Sequence, residues 1–241
     1  MKRYKRKFLK NPVKRVSIIL LLLILGIMAF RTSMSSIKQD EFPLLNKLLN
    51  GTNKADTSLG WNLILINKEN YIPDNYEVAL TELSNGEKVD SRIYPELQEM
   101  FNDARTDGLH LFVREGYRTP EEQQQIMDDK IKEYQESGHS KSEAKVLAEE
   151  CVAIPGTSEH QLGISVDINA DTSQCSSDAV YAWLDENAHK YGFIKRYAAD
   201  KTDITGISNE PWHYRYVGKT AAKEMKEKGV CLEEYIKQLE S

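Results

Sequence analysis

Cysteine is scarce in this 241-residue chain: three residues, Cys151, Cys175 and Cys231. No two are spaced as Cys-x-x-Cys, which excludes a thiolate zinc knuckle. An odd count leaves at least one thiol unpaired or paired between chains. Cys151 and Cys175 could bridge in an oxidising compartment, and burial as small apolar side chains explains them equally well. Basic charge is missing from the body of the chain. Residues 1–15 carry eight Lys and Arg and no acid, so a net charge of −5 overall leaves −13 on the rest. An acidic body excludes nucleic-acid binding, which needs a basic face. Internal repeats are absent, and so is the regular alternation of strand and helix that builds a parallel sheet.

There is one long apolar run, Val16 to Phe30, interrupted only by Ser17 and Gly26. It is short for a span of about 20 residues, and the flanks can lengthen it. No cysteine follows it, so no lipoprotein anchor is expected, and Met28-Ala29-Phe30-Arg31 makes a poor cleavage site. The expected organisation is a basic cytoplasmic tail at 1–15, a transmembrane signal-anchor at 16–32, a stalk at 33–57 and a folded domain at 58–241. A cleaved secretory signal is the alternative. By the positive-inside rule both readings put the body outside the membrane.

Composition of the whole chain is globular, with 40% hydrophobic and 29% charged residues. Trp61 to Asn67 reads as a buried strand, and Pro73-Asp74-Asn75 as a turn. Leu97, Met100, Phe101 and Ala104 recur at helical spacing over 94–106. Leu109 to Val113 reads as a strand. Thr119-Pro120-x-Glu122 forms a capping box opening a helix that runs to about Gln135. Further helices are expected over 140–152, 177–190 and 218–239, the last broken near Gly229. Ile164, Val166 and Ile168 alternate with Ser165, Asp167 and Asn169, a half-buried strand with Asp167 on the face opposite the apolar set. Phe193-Ile194 and Trp212 to Tyr216 complete the strands. The fold class is α+β: an antiparallel sheet with flanking helices, a single domain behind a membrane anchor.

Two segments carry unusual chemistry: Ser158-Glu159-His160-Gln161-Leu162-Gly163-Ile164-Ser165-Val166-Asp167 and Glu210-Pro211-Trp212-His213. A catalytic zinc needs three protein ligands and an open position. His160, Asp167 and His213 supply three, and Glu210 is a spare acid-base group three residues before the last. Gly163 allows a turn between the first two ligands. His110, His139 and His189 are assigned to structural or exposed positions.

Ser158-x-His160-x-x-Gly163-x-Ser165-x-Asp167 resembles the SxHxxGxAxD signature of the VanY-type D-alanyl-D-alanine carboxypeptidases and dipeptidases, and Glu210-x-Trp212-His213 resembles their ExWH motif. Gly116-Tyr117-Arg118-Thr119, with Gln123 downstream, is similar to the family's SGYRS element, and Asn62 to Pro73 to its opening strand and turn. The similarity covers about residues 58–235. Ser165 replaces the usual Ala, and Glu115 stands where Ser is common. The resemblance implies that His160, Asp167 and His213 bind Zn²⁺ and that Glu210 is the general base. It implies that Arg118 stabilises the oxyanion. Ser158, Gln123, Tyr117 and Trp212 become candidates for substrate contact, Trp212 serving equally well as a core residue. The implied reaction is removal of terminal D-Ala from peptidoglycan stem peptides outside the membrane. That would also remove the D-Ala-D-Ala target of vancomycin-like glycopeptides.

Within the family, an L,D-carboxypeptidase or a D,D-dipeptidase is the alternative. A zinc-containing wall-binding module without turnover would need neither Glu210 nor Arg118. A serine enzyme of the penicillin-binding class would use Ser142-Glu143-Ala144-Lys145, an S-x-x-K match. Its partners fail: Ser-Asp-Asn is absent, and Lys219-Thr220-Ala221 lacks the final glycine of K-T-G. The segment reads instead as exposed helix.

Overall fold

The computed structural model describes residues 53–241. The basic tail, the signal-anchor and residues 33–52 of the expected stalk lie outside the described residues. Among the described residues no helix is long and apolar enough to cross a membrane.

The centre is a four-stranded sheet of β5 (Leu111–Glu115), β6 (Ser165–Ala170), β7 (Phe193–Lys195) and β8 (His213–Tyr216), in the order β5-β6-β8-β7. Every pair in it is antiparallel. Two small ribbons lie earlier in the chain. The first pairs β1 (Asn53–Lys54) with β2 (Asn70–Tyr71), and the second pairs β3 (Leu80–Glu82) with β4 (Lys88–Asp90). Ala55, beside β1, is buried in the main core.

Helix α1 (Tyr94–Thr106) carries Pro95 in its first turn and buries Leu97, Met100, Phe101 and Ala104, the stripe expected from spacing. Helix α2 (Pro120–Glu136) is held at its start by the reciprocal Thr119–Glu122 capping box, and α3 (Lys141–Cys151) by the equivalent Ser140–Glu143 box. Helix α4 (Ser177–Asn187) is capped by Ser176 and turns into a 3₁₀ stretch, Ala188–Tyr191, that stops at Gly192. After the single turn α5 (Thr202–Thr205), α6 (Lys219–Lys228) and α7 (Leu232–Leu239) close the chain, broken at Gly229.

Alternation along β6 sorts its side chains. Val166 and Ile168 join Leu97, Met100, Val113, Val180, Leu184 and Phe193 in the main core. Asp167 faces the other way and stays partly accessible. A second cluster, built on Val217, Ala222, Met225, Leu232 and Ile236, seats the last two helices.

Trp61 to Asn67 is not a strand. Its apolar alternation is real, since Ile64 and Ile66 enter the main core while Leu63 and Leu65 pack on the second cluster. The backbone partner is a side chain instead: Arg215 Nη2 donates to Asn62 O at 3.3 Å and to Ile64 O at 2.8 Å. A buried guanidinium thus satisfies carbonyls that a neighbouring strand would otherwise serve. All three cysteines are free. Cys151 is exposed beside Tyr134, Cys175 lies against His110, and Cys231 is buried, so no Cys151–Cys175 bridge forms. Ser142 and Lys145 are exposed on α3, as the helix reading required.

Candidate metal centre

Sheet register brings two candidate ligands together. Asp167 on β6 is the direct partner of His213 on β8. On the other side of β6, Glu115 of β5 is the partner of Asp167, after a bulge between Val113 and Glu115. Directly opposed residues of an antiparallel pair have Cβ atoms about 4.5–5.5 Å apart, so this register alone puts the two side chains in reach of one ion.

His160 arrives from the 3₁₀ turn Glu159–Leu162 that precedes β6. The turn ends at Gly163, which takes a left-handed φ of 72°. A Cβ there would meet Asp90 N and Val78 Cγ2 at 3.2 Å, so glycine is needed for both conformation and space. The Gly163 carbonyl accepts from Asp90 N at 2.8 Å, locking the turn to β4.

His160 Nε2 lies 3.5 Å from Asp167 Oδ1, and His213 Nδ1 lies 2.9 Å from the same oxygen. The three ligand atoms fall within 4.8 Å of one another. Donors on a tetrahedral zinc at about 2.0–2.2 Å sit roughly 3.3–3.6 Å apart, so the set fits the ion with small adjustments. Two imidazoles and a carboxylate also suit zinc chemically. His160 Nδ1 is 2.8 Å from Gly116 O. A carbonyl only accepts, so Nδ1 carries the proton and Nε2 keeps its lone pair for the metal.

Burial works against charge on His213, but Asp167 and Glu159 outweigh it and hold the imidazole up at about 9. Asp167 is likewise opposed by burial, and the two histidines keep it well below the usual carboxylate range. Glu210 Oε2 lies 3.9 Å from His213 Nδ1. Burial raises the pKa of Glu210, with Asp167 and Glu159 adding to the rise and His213 opposing it. Its backbone is fixed at both ends: Glu210 N donates to Tyr197 O, and Glu210 O accepts from His213 N.

Arg118 joins the site through its backbone, donating to His160 O at 3.1 Å. Its guanidinium is oriented by Gln123 Oε1 at 2.6 Å and Glu115 Oε1 at 3.2 Å. The resemblance makes Gln123 a candidate for substrate contact, and in the structure its amide is engaged within the protein. Gln123 is fully buried, with one end of its amide on Arg118 and the other donating to Ala153 O at 2.7 Å. Ser158 is buried at the start of the histidine turn. Trp212 is exposed rather than in the core. Tyr117 is half-buried, and its backbone is tied to Lys88 O. The sequence reading gave no role to Glu159, Arg196, Arg215 or Tyr197, whose ring lies 5.0 Å from that of His213. Glu159 sits inside the quoted motif, but nothing in the sequence marks Arg196 and Arg215 as its partners.

Residues 86–219 match the VanY D-alanyl-D-alanine carboxypeptidase family. The chain belongs to the VanY family. A D-alanyl-D-alanine carboxypeptidase of Enterococcus faecalis (strain ATCC 700802 / V583) is 54% identical over 196 residues, covering 81% of this chain and 73% of the relative. The crystallised VanYB bound to D-alanine-D-alanine is 56% identical with a TM-score of 0.71, over 73% of this chain and 98% of that one. A VanY mutant from a VanB-type resistance cassette, in complex with Zn(II), is 57% identical with a TM-score of 0.70, over 73% and 99% of the two chains. The VanY fold is therefore the frame on which the His160, Asp167 and His213 cluster is mounted.

Proposed function

We propose that this chain is a zinc-dependent D-alanyl-D-alanine carboxypeptidase that releases the C-terminal D-Ala from peptidoglycan stem peptides. The observation that carries the reading is the convergence of His160, Asp167 and His213, with Glu210 3.9 Å from the last, in a chain 56% identical to a structure holding D-alanine-D-alanine.

His160 Nε2, the Asp167 carboxylate and His213 Nδ1 would hold the zinc, which would supply Lewis acidity to the scissile carbonyl and to the attacking water. Glu210 takes the proton of that water as it attacks the carbonyl carbon, then delivers it to the departing amine of D-Ala. Burial suits Glu210 to both steps, because a carboxylate with a raised pKa receives and returns a proton more readily near neutral pH. Arg118, oriented by Gln123 and Glu115, sets a fixed cation toward the negative charge that develops on the carbonyl oxygen. Ser158, Tyr117 and Trp212 lie beside these groups in the chain and border the substrate.

The substrate lies outside the cytoplasmic membrane, so the catalytic body works there. The basic start and the apolar run 16–32 support a single-pass anchor with the stalk and domain on the outer side. Loss of D-Ala also removes the ending that vancomycin-like glycopeptides bind, so the activity contributes to resistance. The deciding experiment incubates the zinc-loaded protein with synthetic tetra- and pentapeptide stems. Free D-Ala from the pentapeptide, abolished by chelator and restored by zinc, is the expected result. Release of a dipeptide, or cleavage of the tetrapeptide alone, would reassign the enzyme to D,D-dipeptidase or L,D-carboxypeptidase activity.

A further inference from the structure

A buried charged assembly lies behind the candidate metal ligands rather than among them. Glu159 is almost wholly buried, with Arg196 Nε 2.8 Å and Arg215 Nη1 2.9 Å from its Oε1. Its other oxygen, Oε2, lies 3.5 Å from His213 Nε2. On its far side Arg196 grips Glu233 of α7 with two bonds of 2.9 and 2.6 Å. Arg196 and Arg215 are both buried. Removing each such charge from water costs several kcal/mol, and apolar residues of similar volume generally stabilise a fold as well or better. Stability alone is therefore a poor reason for this network.

Its geometry points to another reason. Glu159 and His160 are consecutive in one 3₁₀ turn and serve opposite sides. His160 presents Nε2 to Asp167, while Glu159 reaches the rear nitrogen of the other histidine ligand. At this distance the Glu159 carboxylate can accept a hydrogen bond from Nε2–H. The arrangement repeats the way the Gly116 carbonyl sets His160.

We propose that Glu159 is a positioning residue for the metal centre: it accepts a hydrogen bond from Nε2–H of His213, which fixes the ring's orientation and leaves Nδ1 as the metal-binding nitrogen. Arg196 and Arg215 hold Glu159 in place for this task. The inference rests on the assignment of His213 as a zinc ligand.

The test measures zinc dissociation constants by chelator competition, with the melting temperature of each zinc-free protein, for wild type, Glu159→Gln, Glu159→Asp, Glu233→Gln and His213→Ala. Glu159→Asp keeps the buried negative charge but shortens its reach toward His213. Both Glu159 variants are expected to bind zinc about 10- to 100-fold more weakly, the range for loss of a carboxylate behind a histidine ligand. Glu233→Gln unpairs Arg196 from its outer side, so it lowers the melting temperature and leaves zinc affinity at the wild-type level. Wild-type affinity in the Glu159 variants, with binding lost in His213→Ala, overturns the inference and spares the metal site. Equal losses in Glu233→Gln and Glu159→Asp also overturn it, since the network would then act through the fold alone. Wild-type affinity in His213→Ala overturns the site itself. If the Glu159 variants do not fold, long-range ¹H–¹⁵N spectra of the zinc-loaded wild type decide. A proton on His213 Nε2 supports the assignment, and a metal on Nε2 contradicts it.

Discussion

Asp167 Oδ1 and His213 Nδ1 are cross-strand partners 2.9 Å apart, and both atoms belong to the ligand set that would hold zinc. The same two atoms therefore either share a proton or share a metal. When zinc is stripped, the proton holds them together. When zinc binds, the His213 proton must leave, so metal uptake is coupled to pH.

The consequence for stability has a definite direction. His213 titrates at about 9 in the fold against an ordinary 6.5. Its contribution to the zinc-free protein is fully present below pH 6.5 and is lost as pH rises through about 9. The loss is on the order of 3 kcal/mol. Asp167, held low, contributes above its ordinary 3.8, and that contribution fades as pH falls toward its folded value. Melting temperatures of the zinc-free protein should fall between pH 6.5 and 9.5, while zinc affinity rises over the same interval. A flat zinc-free profile would contradict the coupling.

Glu210→Gln removes the carboxylate proposed to carry the proton and keeps the side chain's size. It is expected to lower kcat by about 10²–10⁴-fold, the range for a positioned acid-base group. Zinc affinity should stay near wild type, because Glu210 is outside the ligand set. Steady-state kinetics on a pentapeptide stem, run beside chelator competition, separate the two quantities.

Arg118 and Gln123 form a pair with different duties. Arg118→Ala should lower kcat by about 10²–10³-fold, as loss of an oxyanion-stabilising group does. Gln123→Ala removes the amide that orients Arg118 and leaves the Ala153 carbonyl without its buried donor. It is expected to cost about 1–3 kcal/mol of stability and to reduce kcat through a loosened Arg118. A double variant no worse in kcat than Arg118→Ala alone would show that the two act as one unit.

Gly116 leaves no room for a side chain. A Cβ there would stand 2.2 Å from Lys88 O, while the Gly116 carbonyl holds His160 Nδ1. Gly116→Ala must shift this backbone, so it should lower both the melting temperature and zinc affinity. Loss of stability without loss of affinity would show that the carbonyl does not set the histidine.

Much of this was legible in the sequence, and the exceptions have physical causes. The stripe Leu97, Met100, Phe101 and Ala104 and the capping box Thr119–Glu122 are local patterns, and both formed as expected. The alternation that put Asp167 off the apolar face of β6 also held. Trp61 to Asn67 differs because an apolar, β-prone run reports burial and not hydrogen-bonding partners, and Arg215 takes the place of a strand. Gln123 is a substrate-contact candidate through the resemblance alone, and its burial with internal amide partners is set by folding. Glu159 escaped notice because its significance depends on Arg196 and Arg215, 37 and 56 residues away, which only folding brings to it.

Diffraction from zinc-loaded crystals at the zinc absorption edge tests the central claim most directly. The account predicts one strong anomalous peak about 2.0–2.2 Å from His160 Nε2, an Asp167 carboxylate oxygen and His213 Nδ1, with Glu210 beside its open face. A peak elsewhere, or none within reach of these three side chains, would contradict it.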